Sequence, residues 1–423
     1  MSNEKYENLI AALDIGTSKV IAVIGHINSE GLTEIIGIGM HHSTGLKKGV
    51  VVNIEATVES IQRAIEDAEL MSGCSISSVH AGIAGSHIKS LNSHGIVAIH
   101  DGEVQPIDVD RVIDAARAVA IPADQEILHV LPQEYIIDEQ EGVKQPVGMS
   151  GVRLEAKVHL VTCAVNSAQN IKKCIKRCGL EVSGLVLEQL ASSYAVLTQD
   201  EKQLGVALID IGGGTSDIVI FTDGAIRYTG VIPIAGDQVT NDVAMALRTP
   251  TAHAEDLKIK YACALAKLTK PEETIKVPSV GDRTSRNMSR QLLAEVVEPR
   301  HDELFTLVQA ELRRSGYEEL LAAGVVLTGG TSKMEGVTEL AEEIFHMPVR
   351  VASPVSVTGL SDIVTNPIYS TAIGLLQFGR EKNHEAIANN RNSKVTGSIF
   401  SKVVDWFRNK FKKKKNLYLI LIL

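Results

Sequence analysis

Aromatic residues are scarce, at 4% of 423 positions with a single tryptophan. Proline is equally thin at 12 residues, which excludes collagen-like and proline-rich disordered classes. No stretch of about 18 apolar residues occurs, so no membrane-spanning helix is expected. Residues 1–8 are polar and acidic, without the basic start and apolar stretch of a secretory leader. Cysteine is confined to Cys74, Cys163, Cys174, Cys178 and Cys263. The number is odd and no Cys-x-x-Cys pair exists, so reduced thiols are expected rather than a disulfide framework or metal site. Positive charge is in deficit: 42 Lys and Arg face 51 Asp and Glu, a net charge of −9. That balance argues against general nucleic-acid binding, which needs a basic face to displace counterions from phosphates.

What remains is 44% hydrophobic and 22% charged, a folded chain long enough for two or three domains. The charge is uneven. Residues 398–415 carry seven basic side chains against one acid, while the rest of the chain sums to −15. A basic end on an acidic body suggests an anionic membrane surface.

The opening reads strand, turn, strand, strand. An apolar run over 9–14 ends in Gly16-Thr17-Ser18, and runs over 20–25 and 35–40 follow. Ile54, Val58, Ile61, Ile65 and Ala68 recur at helical spacing. A buried strand follows over 79–84. Residues 87–158 change character, alternating short strands with polar turns and a helix near 109–118, and read as an inserted subdomain. A strand returns over 159–165, before a helix over 167–178. At 206–221 the opening pattern recurs, about 196 residues on: strand, Asp-Ile-Gly, Thr or Ser, strand. A spacing this large suggests two homologous α/β halves rather than a solenoid. Helices are expected over 251–265, 286–313, 335–345 and 369–377, and a flexible linker over 380–397, where Asn, Lys and Glu dominate.

Three motifs carry chemistry. Asp14-Ile15-Gly16-Thr17-Ser18-Lys19 places a tight turn after a strand, where backbone N–H groups can meet a phosphate. Asp14 can hold Mg²⁺ through water, and Lys19 can neutralise phosphate charge. Asp210-Ile211-Gly212-Gly213-Gly214-Thr215-Ser216-Asp217 repeats this chemistry, with three consecutive glycines. Leu327-Thr328-Gly329-Gly330-Thr331-Ser332-Lys333-Met334 puts a glycine pair between a strand and a helix, where an adenine or phosphate can lie on bare backbone. The first and third alone are compatible with an ordinary turn, which would not normally need the three glycines of the second. Together, their order and spacing resemble the actin–Hsp70–hexokinase superfold. That resemblance implies an ATP site, with Asp14 and Asp210 positioning Mg²⁺. It also implies that Glu188 orients an attacking water and that Gly236, Glu255 and Lys258 lie on the nucleoside side. From the residues alone, Glu188 reads equally as a helix-capping carboxylate, and Glu255 with Lys258 as an exposed i,i+3 ion pair.

Within that superfold the chain resembles the FtsA family of bacterial cell-division proteins. The resemblance runs from about residue 9 to 411. It rests on the first and second phosphate motifs, on Ala81-Gly82-Ile83-Ala84-Gly85, on Ala294-Glu295-Val296-Val297-Glu298-Pro299-Arg300, and on Val326-Leu327-Thr328-Gly329-Gly330. The late position of the insertion also matches. It implies an α/β, actin-like ATPase fold of two duplicated domains, each with an inserted subdomain, plus a C-terminal amphipathic helix. Residues 1–86 and 159–200 would form subdomain 1A, 87–158 subdomain 1C, 201–227 and 308–379 subdomain 2A, and 228–307 subdomain 2B. The family properties implied are ATP and Mg²⁺ binding with at most slow hydrolysis of the γ-phosphate, and self-association into actin-like filaments. Tethering of the tubulin-like protein FtsZ to the inner face of the cytoplasmic membrane, and recruitment of later division proteins through 1C to the septum, are implied as well. The FtsZ tail would meet subdomain 2B, where Arg283, Arg286, Arg290 and Arg300 could hold an acidic peptide or simply form a solvated basic face.

The end of the chain can be read from periodicity. At 100° per residue, Ile399, Phe400, Val403, Val404, Phe407 and Phe411 share one apolar stripe flanked by Trp406, with Lys402, Asp405, Arg408 and Asn409 mostly opposite. Such a helix after a linker suits an anionic lipid interface, the alternative being one docked on protein. The last eight residues, 416–423, are too few to span a bilayer of about 30 Å as helix. Two rival functions stay open. A sugar or acetate kinase of the same superfold would need a closed substrate pocket, and a pilus-assembly or chaperone-type actin homologue would not recognise FtsZ.

Overall fold

The computed structural model describes residues 9–28, 32–281, 284–355, 357–360 and 365–382. The first half opens with β1 (Leu9–Ile15), β2 (Lys19–Ile27) and β3 (Thr33–His42). A small hairpin, β4 (Leu46–Lys47) and β5 (Val50–Val51), leads into α1 (Ile54–Ser72) and β6 (Ser78–Ile83). Asn53 starts α1 by accepting the Ala56 N–H, and Gly73 ends it in the left-handed conformation. Its buried face, Ile61, Ala64, Ile65 and Ala68, is the one its periodicity predicts.

The insertion follows: β7 (Lys89–Ala98), α2 (Pro106–Arg117), β8 (Gln125–Ile137), β9 (Gln140–Val143) and β10 (Arg153–Ala164). These strands form their own four-stranded sheet, ordered β7-β10-β8-β9, over a separate core that includes Val112, Leu154, Val158 and Leu160. Three of its four strands, β7, β8 and β10, are long, not short as the polar turns suggested. The strand expected to return at 159 is the second half of β10, which pairs with β7 without interruption through Thr162. The chain re-enters the first sheet only after α3 (Val165–Arg177), through β11 (Glu181–Leu187) and α4 (Glu188–Val196).

After α5 (Gln199–Leu204) the second half repeats the opening, with β12 (Val206–Ile211), β13 (Ser216–Thr222) and β14 (Ala225–Ile232). A helical lobe holds α6 (Gly236–Leu247), α7 (Thr251–Tyr261), the hairpin of β15 (Thr274–Val277) and β16 (Arg286–Ser289), and α8 (Arg290–Ser315). The long helix starts four residues later than its composition suggests, because 286–289 pair with β15 and Ser289 caps the helix by accepting the Gln291 N–H. The expected break between the second sheet and this lobe at 228 falls inside β14. Then come β17 (Val325–Thr328), α9 (Val337–Phe345), β18 (Val349–Val351) and β19 (Val357–Gly359). A closing helix starts at residue 370 and continues through 382, beyond the position where the linker was expected to begin. The remaining linker and the amphipathic segment, with Ile399, Phe400, Val403, Val404, Trp406, Phe407 and Phe411, lie outside the described residues.

The duplication is explicit in the sheets. The first is ordered β11-β6-β1-β2-β3-β19 and the second β18-β17-β12-β13-β14. In both, an antiparallel three-strand meander sits beside two parallel strands. β1, β2, β12 and β13 are buried almost end to end, as strands covered on both faces must be. This fixes where their connecting turns point, and the two turns meet.

Two helices cross behind those turns. A Cβ on Gly374 of the closing helix would lie 1.8 Å from the Ala191 carbonyl oxygen of α4, so only glycine permits this approach. Gly374→Val should overpack the crossing and lower stability by about 1–3 kcal/mol or more. Urea denaturation checks this; an unchanged midpoint would mean that the helices separate without cost.

Candidate functional site

The turns after β1 and β12 are built alike. Gly16 N–H donates to the Lys19 carbonyl at 3.0 Å, and Gly212 N–H donates to the Thr215 carbonyl at 3.0 Å. Their tips face each other at contact distance. A Cβ on Gly213 would lie 1.7 Å from Ser18 Oγ, and one on Gly214 would lie 2.5 Å from Thr17 Oγ1. The glycines are therefore a steric requirement of the facing loops. The third motif closes the same cleft: a Cβ on Gly330 would lie 3.5 Å from Lys19 Nζ. The cleft encloses roughly 580 Å³ when its open mouth is included. It is lined by Asp14, Gly16–Lys19, Glu188, Asp210, Gly212–Thr215, Asp217, Gly329 and Gly330.

Three aspartates are buried here, and the carboxyl of the partly buried Glu188 joins them. Burial pushes Asp14 up to about 7, with Asp210 adding to the rise and Lys19 opposing it. Asp217 is pushed up to about 8 by burial, then by Asp210. Those two residues are direct cross-strand partners, a like-charge pairing the first hairpin avoids by placing Ile21 opposite Asp14. Glu188 is held well above the usual carboxylate range by burial and by Asp14, Asp217 and Asp210. Asp210 is also raised by burial, but Ser192 Oγ at 2.5 Å and Thr371 Oγ1 at 3.1 Å donate to its Oδ2 and offset part of the rise. Thr215 Oγ1 donates to Asp217 Oδ2 at 2.9 Å, while Asp217 Oδ1 is buried with no partner. Glu188 is the first residue of α4, and Gly82 leaves it room: a Cβ there would meet Glu188 Cγ at 3.0 Å. Among the described residues, no cluster of three or more His, Cys, Asp and Glu has metal-ligand geometry.

The nucleoside-side candidates form a second layer behind the Gly212 turn. Gly236 N–H and Thr331 Oγ1 both donate to the Gly212 carbonyl, at 3.1 and 2.8 Å. Lys258 is buried; its Nζ donates to the Gly236 carbonyl at 3.1 Å and to Thr240 Oγ1 at 2.9 Å, and pairs with Glu255 at 2.7 Å. The pair exists with its lysine end buried and its Glu255 carboxylate about 40% exposed. Met334 packs between the core of the second sheet and that of the helical lobe. The structure adds residues that sequence reasoning missed. Gly49, Pro367, Ile368 and Thr371 line the cleft, Ser192 holds Asp210, and Asp237 accepts from Ser18 Oγ at 3.1 Å. Only Lys48-Gly49, a positive-φ pair, carries a local signal.

The arginines proposed for an acidic peptide are engaged internally. Arg290 donates to Glu273 at 2.9 Å, to Glu335 and to the Tyr261 carbonyl. Arg300 makes a two-pronged contact with Asp242 at 2.6 and 3.0 Å and also reaches Glu303. Arg286 donates to the Leu247 carbonyl. Arg283 lies outside the described residues.

Comparison with known proteins decides the family. The chain is 68% identical over 401 residues to the cell division protein FtsA of Pseudomonas aeruginosa, covering 95% of each. The chain belongs to the FtsA family. It is also 47% identical over 412 residues to FtsA of Escherichia coli K12, covering 95% of this chain and 98% of that one. The family model for cell division protein FtsA matches residues 207–374, and that for the SHS2 domain inserted in FtsA matches 85–162, the separate four-stranded sheet. The actin-like fold of this FtsA-family chain recurs in solved structures at low identity. A PilM–PilN type IV pilus biogenesis complex aligns at TM-score 0.62 and 15% identity, over 89% of this chain and 99% of that one. MreB5 of Spiroplasma citri, bound to ADP, aligns at 0.55 and 15%, over 90% and 99%.

The raised carboxyls make a pH prediction. A folded-state value above the unfolded one means that the native state binds the proton more tightly, so stability is present at low pH and lost as pH rises. For Asp217 the window runs from its ordinary 3.8 to about 8. Asp217→Asn should therefore melt above the wild type at pH 8 without ligand, and the gap should shrink toward pH 5. A gap that widens on acidification would contradict this sign.

Proposed function

We propose that this FtsA-family chain binds ATP with Mg²⁺ between its two hairpin loops and acts as an actin-like scaffold of division. In that reading it tethers FtsZ filaments to the inner face of the cytoplasmic membrane, polymerises, and brings later division proteins to the septum. The observation that carries the nucleotide reading is the facing of two glycine turns at side-chain-excluding distance, with Lys19 between them and the third loop. Bare backbone on both sides suits a polyphosphate. The low-identity MreB5 structures with ADP and AMPPNP share the fold and add support.

The donor set fits a hydrated divalent cation. Asp14 and Asp210 are the penultimate residues of equivalent strands, β1 and β12, in the two sheets, and Asp217 Oδ1 is a buried acceptor without a partner. Bound there, Mg²⁺ would supply charge neutralisation for phosphate oxygens. Thr17, Ser18, Gly213 and Gly214 would orient the phosphates. Glu188, whose carboxyl burial and the neighbouring Asp14, Asp217 and Asp210 hold above the usual carboxylate range, would position the attacking water. Slow turnover follows, as suits a switch whose work is done by conformation.

The membrane part of the reading rests on residues 398–411 and their basic flank. The FtsZ part would have Arg290 and Arg300 exchange internal carboxylates for those of an acidic tail, at modest net cost because both pairs are partly exposed.

Gly213→Val should weaken binding of a fluorescent ATP analogue by at least tenfold, or about 1.4 kcal/mol. Unchanged affinity would put the nucleotide elsewhere. Co-sedimentation of FtsZ with anionic liposomes and ATP tests the tether. FtsZ should pellet only with the full chain and not after removal of residues 398–423. A chain that pellets while FtsZ stays in solution favours a pilus-type homologue. Small-molecule phosphorylation that survives the truncation favours a kinase.

A further inference from the structure

The inserted subdomain holds an edge of each half. β11 is the outer strand of the first sheet and β14 that of the second. Among the described residues neither outer edge pairs with another strand; side chains of the inserted sheet bond to both. From β8, His129 Nε2 accepts the Leu187 N–H at 3.0 Å, and Gln133 Nε2 donates to the Ile226 carbonyl at 2.7 Å. From β7, Ser90 donates to the Thr229 carbonyl at 3.1 Å and Asn92 to the Arg227 carbonyl at 3.3 Å. His159 of β10 completes the set, bridging Asn92 Oδ1 at 2.7 Å and Thr229 Oγ1 at 3.0 Å.

Both attachment points lead straight to the cleft. Leu187 immediately precedes Glu188. It caps α4 without a side-chain hydrogen bond, so the orientation of this turn depends on what its backbone meets. Gln189 Nε2 in turn donates to the Gly230 carbonyl of β14 at 3.4 Å. On the other side, Val231 of β14 is the cross-strand partner of Asp217. A shift of one half against the other therefore moves β11 and β14 apart or together, and β8 is bonded to each.

We propose that His129 is a positioning residue: through the Leu187 N–H it sets the α4 terminus that carries Glu188, and it couples the inserted subdomain to the occupancy of the cleft. The proposal rests on the nucleotide reading above. Its elements are exchangeable side-chain bonds, each weak on balance against water, which can be remade without unfolding either sheet. The inserted sheet has its own core, so it moves as a body when its bonds to the edges change.

The experiment is hydrogen–deuterium exchange of the full chain, with and without Mg²⁺ and AMPPNP, on the wild type, His129→Phe and His129→Gln. Phenylalanine keeps the bulk and loses the acceptor; glutamine restores an acceptor oxygen. In the wild type, nucleotide should slow exchange at 212–215, at 187–190 and across 125–137. In His129→Phe the response at 212–215 should persist while that at 125–137 is lost, and His129→Gln should regain it. A melting midpoint shared by all three separates positioning from loss of fold. Protection at 212–215 without any response at 125–137 in the wild type overturns this proposal alone. An equal response at 125–137 in His129→Phe also overturns it. No protection at 212–215 in the wild type overturns the nucleotide reading, and this one with it.

Discussion

Burying Asp14, Glu188, Asp210 and Asp217 in one cleft with a single nearby lysine opposes folding, because carboxylates leave water only at a cost that partners must offset. Every feature around the cleft bears on that cost. Ser192 and Thr371 share Asp210, Thr215 serves Asp217, and the groups with least help are pushed toward neutrality. The cluster persists because its three aspartates sit near the ends of strands buried almost end to end, where moving one carboxyl outward would expose apolar sheet. The strain on charge is thus built in, and a cation or a proton relieves it.

The two halves solve the same problem with different means. Both place an aspartate, a glycine turn and a second strand in one register. The first half answers its aspartate with Lys19 and an isoleucine across the strand pair. The second adds Asp217 and answers it with hydroxyls. The insertions also differ in place: the four-stranded sheet interrupts the parallel strands β6 and β11, and the helical lobe interrupts the path from β14 to β17. Each half keeps its turn and varies what surrounds it.

Much of this was legible before any coordinates. The repeat of Asp-Ile-Gly about 196 residues apart marks the duplicated strands, because the local geometry of a turn after a buried strand is written in adjacent residues. The third glycine pair is legible for the same reason. Ser192 and Thr371 were not. They lie 179 residues apart, and only the helix crossing beside Gly374 brings them together at 3.0 Å. Lys258 carries no mark of its burial, since the brace it forms depends on Gly236 and Thr240 from another helix. The arginines read as a basic face for the converse reason: Glu273, Glu335 and Asp242 are distant or off-period in the sequence and adjacent only in the fold. The polar turns of the insertion hid long strands because β7 is mostly exposed and the first half of β8 only partly buried, which leaves little apolar signal along them.

β19 pairs with β3, aligning Val357 with Thr33, and so the first sheet takes its last strand from near the far end of the described chain. On a ribosome this has a temporal meaning. At roughly 5–20 residues per second, β3 emerges some 15–60 s before its neighbour. Through that interval its outer edge is a row of unpaired backbone groups, open to any passing strand. The edge that β19 later covers, Thr33 to Ile35, is thus the part of the nascent first half left open longest to mispairing.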